Sequence, residues 1–176
     1  PMTMTRRIEW LIAAVLLPAL LGSLGIHTYT AREALQWQLE LRNRDAASAL
    51  ALALSQQQGD AVALQTVAAA QFDLGHYRRL RLRAVDGQLL VDLQSAASAG
   101  RAPAWFAQAW PIAAPAGTAI VSDGWREIGQ LQIESHVAWA RDALWVAVKR
   151  TALLLSLLAL AAGGAAAWLL RLWRRP

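Results

Sequence analysis

Residues 76–93 read HYRRLRLRAVDGQLLVDL, and the alternation within this stretch decides the fold. Leu80 and Leu82 stand two apart among Arg79, Arg81 and Arg83, the period of a strand with one apolar and one basic face. Asp86-Gly87 suits a tight hairpin turn, and the chain returns with Leu89, Val91 and Leu93 expected to face inward. A second hairpin is expected from residues 118–122 and 127–135, joined by a turn centred on Asp123 and Gly124. Two hairpins give a four-stranded antiparallel sheet.

Outward from the first hairpin the period becomes helical. Residues 32–58 carry Leu35, Leu39, Ala46, Leu50 and Ala53 at roughly helical spacing, with no Gly or Pro before Gly59. Asp60 is placed to cap a second helix over residues 61–74, with Val62, Leu64, Val67, Ala68 and Phe72 as its stripe and Gly75 as its end. Between the hairpins, residues 95–101 form a loop of small residues, and Pro103 opens a short helix over 104–110 that Pro111 stops. Residues 136–170 read as one uninterrupted helix that would carry movement of the domain into a membrane. The result is an α+β domain with helices on one face of the sheet, the outline of a PAS/Cache-like sensor.

The flanks are apolar enough for a membrane. Residues 10–31 contain no charge, nor do residues 151–170. At about 1.5 Å per residue either segment crosses a hydrocarbon core of about 30 Å. A composition of 56% hydrophobic residues with a mean hydropathy of +0.30 fits a chain that is part membrane and part water. The organisation is a cytoplasmic N-terminus (1–9), a first span (10–31), an extracytoplasmic domain (32–150), a second span (151–170) and the start of a cytoplasmic linker (171–176). The first span is longer than the roughly 7 to 15 apolar residues of a signal-peptide core and lacks an Ala-x-Ala site, so it reads as an anchor. Pro18 is tolerated in such a helix.

The net charge of +5 lies at the membrane flanks rather than in the domain. Residues 32–150 hold twelve basic and eleven acidic side chains, whereas Arg6 and Arg7 precede the first span and Arg171, Arg174 and Arg175 follow the second. By the positive-inside tendency both termini are cytoplasmic, with Lys149 and Arg150 as a minor counter-signal. No basic run with interleaved aromatics lies in the domain, so nucleic acid is not an expected partner.

Catalysis has little to work with. His27, His76 and His136 are scattered, cysteine is absent, and no His-x-x-x-His or carboxylate-His spacing offers a metal site, so neither a metal nor a cofactor is expected. Ser122, Asp123 and His136 could approach each other across the second hairpin, but Ser and Asp beside a turn are ordinarily turn residues. No Gly-rich loop is placed to cradle a phosphate.

Binding residues are easier to find. Trp10, Trp168 and Trp173 lie near span ends, where indoles favour the interface. Trp105, Trp110, Trp139 and Trp145 fall on helices and are expected to pack in the core or near the membrane. Trp125 instead follows Gly124 at a hairpin tip, with Asp123 and Arg126 beside it, where an indole finds little of its own domain to pack against. Arg79, Arg81 and Arg83 form a basic stripe, either a solvated face paired with Asp86, Asp92 or Glu134 or a pocket for an anionic ligand. A ligand site requires the stripe to line a concavity; a protein-binding module requires a flat sheet and a protruding Trp125. Ala159, Gly163 and Ala167 recur every fourth residue in the second span, a spacing that lets helices of two copies approach closely.

Several strings together carry a family resemblance: Arg44-Asp45-Ala46-Ala47-Ser48-Ala49-Leu50-Ala51-Leu52, Phe72-Asp73 with Gly75 and Tyr77, Pro103 with Trp105-Phe106, Gly124-Trp125, and Ser135-His136 followed by Leu144-Trp145. In this order and spacing they resemble the LapD/MoxY N-terminal periplasmic domain, from about Arg32 to Arg150. The resemblance implies an inner-membrane, homodimeric inside-out receptor. In it, cyclic-di-GMP binding to degenerate cytoplasmic GGDEF and EAL domains lets the periplasmic domain sequester a LapG-like cysteine protease, sparing a surface adhesin and sustaining biofilm. It also implies that Gly124 and Trp125 form the protease-binding feature, that a HAMP linker begins near Pro176, and that MoxY-like members carry a kinase portion. The alternative is a Cache-like small-ligand sensor of a histidine kinase or of a cyclic-di-GMP enzyme. On either reading this portion is not an enzyme.

Overall fold

The leucine and arginine alternation produces the expected sheet. The computed structural model describes residues 4–74, 77–96 and 99–173. Its strands are β1 (Tyr77–Ala84), β2 (Leu89–Gln94), β3 (Gly117–Asp123) and β4 (Arg126–Ser135). Their order is β2-β1-β4-β3 and every pairing is antiparallel. The register aligns Leu93, Leu80 and Ile133 across one row, and Val91, Leu82, Leu131 and Ala119 across the next. Paired residues share a face, so these rows form one apolar surface.

Helices cover that surface. α1 (Met4–Ser55) contributes Ala47, Leu50, Ala51 and Leu54, and α2 (Ala61–Leu74) contributes Leu64 and Ala68, to one buried cluster with Leu80, Leu82, Val91, Val121, Leu131 and Ile133. Each large aliphatic side chain fully buried here stabilises the fold by about 1.5–3 kcal/mol. Asp60 caps α2, its Oδ1 accepting from the Val62 N–H at 3.0 Å. The remaining helices are α3 (Ala104–Ala109) and α4 (Ala138–Trp173). Phe106 of α3 and Ala138 and Ala140 of α4 are buried outside the main cluster.

Several details differ from expectation. The register slips between Leu82 and Arg83, which pair with Val91 and Leu89 and leave Leu90 as an extra residue. The bulge turns Leu90 toward the core and leaves Leu89 51% exposed. Val62 is also exposed, whereas Leu64 and Ala68 of the same helix are buried. The last helix, α4, begins at Ala138 rather than at residue 136, and α1 ends at Ser55 in a turn through Gly59. Trp105 is exposed while its neighbour Phe106 takes the buried position, the two rings meeting edge to face at 5.8 Å. Gly75, His76, part of the 95–101 loop and residues 174–176 of the expected 171–176 linker lie outside the described residues, while residues 171–173 continue α4.

The chain divides into two compact units. One is the α+β domain, Glu33–Asp142; the other comprises the helical segments up to Arg32 and from Ala143 onward. In the helical unit, α1 and α4 each contain a stretch long and apolar enough to cross a membrane, and α1 continues through Pro18 without a break.

Candidate partner-binding site

The second hairpin is fixed at its base and free at its tip. Asp123 pairs with Arg126, so Gly124 and Trp125 alone form the connecting loop. Gly124 has φ +58° and Trp125 does not share a positive φ, the pattern of a type II′ turn with Gly in its first central position. Below the tip the register shifts between Val121 and Ser122, and Ile128 packs against the core cluster. The Ser122 N–H donates to Ser55 Oγ at 3.1 Å, and that hydroxyl donates to the Ala51 carbonyl at 2.7 Å. Strand β3 is thereby tied to the last turn of α1 just before the hairpin leaves the domain.

Trp125 itself has a relative exposure of 105%. Asp123, Gly124, Arg126 and Glu127 around it are exposed as well. A large aromatic held on a two-residue turn with a fixed base loses little conformational freedom when it enters a pocket, which is what makes tryptophan an effective interface anchor. Beside the tip an open hollow of about 620 Å³ is lined by Gly59, Val85, Asp86, Asp123, Arg126 and Ile128, among others. Sequence reading missed this hollow, because residues 58–59, 84–86 and 123–128 meet only through the folded sheet.

The arginine stripe occupies the face of the sheet opposite the core. Arg79, Arg81 and Arg83 pair with Glu134, Gln132 and Gln130 of β4. Arg79 reaches diagonally to Asp92, Nε donating to Oδ1 at 3.1 Å and Nη2 to Oδ2 at 2.9 Å. This two-pronged contact holds the Asp92 carboxyl below its ordinary range and raises the guanidinium of Arg79, with Glu134 adding to the latter. Arg83 is exposed, and none of the three arginines lines the hollow beside Trp125.

The other candidates are placed apart. Ser122 pairs with Glu127 near one end of β4, whereas His136 follows its other end, Ser135. Nine residues of strand at about 3.4 Å each put them roughly 30 Å apart, so the Ser122-Asp123-His136 constellation is not assembled. His136 Nε2 instead lies 3.3 Å from Ser95 Oγ. Among the described residues no group of three or more His, Asp or Glu is arranged to hold a metal. Ala159, Gly163 and Ala167 line a hollow shared with residues 12–20 of the same chain.

The chain thus holds a small α+β domain flanked in sequence by two membrane-length apolar segments, with an indole presented on a fixed hairpin. The chain belongs to the LapD/MoxY periplasmic domain family, whose sequence profile matches residues 24–145. Among solved structures it is similar to the LapD periplasmic domain of Pseudomonas fluorescence, with 28% identity over 66% of this chain and 93% of that one and a TM-score of 0.40. Comparison with curated proteins gives no match. Membership of this periplasmic domain family, with two candidate spans, fits an inner-membrane protein.

Proposed function

We propose that this domain is the periplasmic output module of a LapD-like receptor, which captures a LapG-like cysteine protease by inserting Trp125 into a pocket of that protease. The observation that carries this reading is the complete exposure of the Trp125 indole on a hairpin whose base is bonded to α1. Gly124 supplies the turn; Asp123 and Arg126 flank the anchor and belong to the polar rim that excludes water from it. Both termini are cytoplasmic, and cyclic-di-GMP binding on that side controls whether the periplasmic module, working as a homodimer, holds the protease and so keeps an adhesin and the biofilm in place. The Arg79 to Asp92 pairing on an outward sheet face supports protein binding over capture of an anionic small ligand.

The test is capture of a purified LapG-like protease by the wild-type protein and by Trp125→Glu. Loss of capture in the variant is expected. Equal capture by both would remove Trp125 from the interface.

A further inference from the structure

The Trp125 hairpin does not stand alone at its end of the sheet. β1 runs antiparallel to β4 with Ala84 opposite Gly129, so the β1–β2 turn leaves the sheet beside the β3–β4 turn. The two strands approach closely there, Gly129 lying against the Arg83 carbonyl with no room for a Cβ. Both turns are therefore held on one base.

The β1–β2 turn is closed by its own hydrogen bonds. The Gly87 N–H donates to the Ala84 carbonyl at 2.9 Å, the Ala84 N–H to the Gln88 carbonyl at 2.8 Å, and the Gln88 N–H to Asp86 Oδ1 at 3.0 Å. Within this fixed loop the Val85 side chain is 70% exposed. Val85 lines the hollow beside the Trp125 tip together with Asp123 and Arg126, whereas the other aliphatic side chains of that lining, Ala84, Leu90 and Ile128, are half-buried. An exposed aliphatic group on a loop that is already ordered gains by leaving water and gives up little freedom on contact.

Interface size calls for a second contact. A stable protein–protein interface covers about 800 Å² of each partner, whereas one buried aromatic side chain supplies only about 150–250 Å². A partner that takes the indole must therefore also cover surface next to the hairpin, and the hollow leads from the Trp125 turn to Val85.

We propose that Val85 is a second contact of the surface that captures the protease, packing on an apolar area of that partner beside its indole pocket. This inference rests on capture of the protease by Trp125 and extends that footprint to the β1–β2 turn.

The test is calorimetric binding of a purified LapG-like protease to the whole chain in detergent, beside melting curves, for the wild type, Trp125→Glu, Val85→Glu and Leu74→Glu. Leu74 is 79% exposed and ends α2 just before Tyr77, which pairs with Ser135 at the opposite end of the sheet. Leu74→Glu is thus the same kind of change away from the proposed surface. Val85→Glu sets an unpaired carboxylate against an apolar area and should weaken capture about tenfold or more with an unchanged melt. Leu74→Glu should bind as the wild type does. If Trp125→Glu loses capture while Val85→Glu keeps it, or while Leu74→Glu loses as much as Val85→Glu, the second contact is overturned and the Trp125 reading stands. A lowered melt in Val85→Glu also overturns it, since Val85 would then serve the fold. Undiminished capture by Trp125→Glu overturns the Trp125 reading itself and the second contact with it.

Discussion

Gly117, at the start of β3, lies against the backbone carbonyl of Asn43 on α1 with no room for a Cβ between them. The long helix and the edge strand approach here backbone to backbone, so any side chain at Gly117 must push one of them away. Gly117→Ala is expected to cost about 1–3 kcal/mol, the range for overpacking a dense interior. A drop of several degrees in melting temperature would show it; an unchanged melt would mean that β3 can shift at no cost.

Asn43 is fully buried, and its Nδ2 donates to the Pro115 carbonyl at 2.7 Å. Asn43→Ala leaves that carbonyl without its donor and should cost about 1–3 kcal/mol. Asn43→Asp should cost more at pH 7, because a buried carboxylate would face a carbonyl oxygen. Its penalty should shrink on acidification, when a protonated carboxyl can donate. Denaturant melts of both variants at pH 7 and pH 4 check the order, and a pH-independent Asn43→Asp penalty would contradict it.

Trp125 separates binding from stability. Trp125→Ala should weaken protease capture by about 2 kcal/mol or more, as interface anchors do, while the melt changes by no more than about 0.5 kcal/mol, as for a surface site. A core indole would show the reverse, a folding loss of about 3–5 kcal/mol. Calorimetric binding beside a melting curve distinguishes the two.

Asp92 offers a pH test. Its carboxyl is held below the ordinary 3.8, first by the hydrogen bond from Arg79, with Arg79 and Arg81 adding as charges. A depressed folded-state pKa contributes stability that is present above the unfolded value and is lost as pH falls through the folded one. A carboxyl titration followed by NMR should place Asp92 below 3.8, and Arg79→Gln should move it upward. No movement would show that the pair does not persist in solution.

Topology follows from the arginine placement. A reporter after Arg175 is expected to be cytoplasmic, and one inserted near Gly100 periplasmic. The opposite pattern would reverse the membrane reading and, with it, access of Trp125 to a periplasmic protease.

Much of the fold was legible locally. The Leu80 and Leu82 alternation, Asp86-Gly87, the Asp60 cap and the two uncharged stretches are short-range signals, each acting through its own backbone period, turn or hydration. They yielded the four strands, the helices and the two apolar segments within a few residues. Leu89 and Leu90 were not legible in this way, because a bulge is an agreement between two strands and leaves no periodic mark on either.

The sequence by itself therefore determined the α+β class and the membrane-length segments, together with the position of Trp125 at a hairpin tip. Periodicity and uninterrupted apolar length act over a few residues, or one helix, at a time. Only the tertiary structure decided that the Trp125 indole points wholly away from the domain, that Ser55 ties down β3 below it, and that Asn43 meets Gly117 without space for a side chain. Each of these depends on residues far apart in the chain, whose meeting is fixed by sheet register and by the packing of α1 over the core.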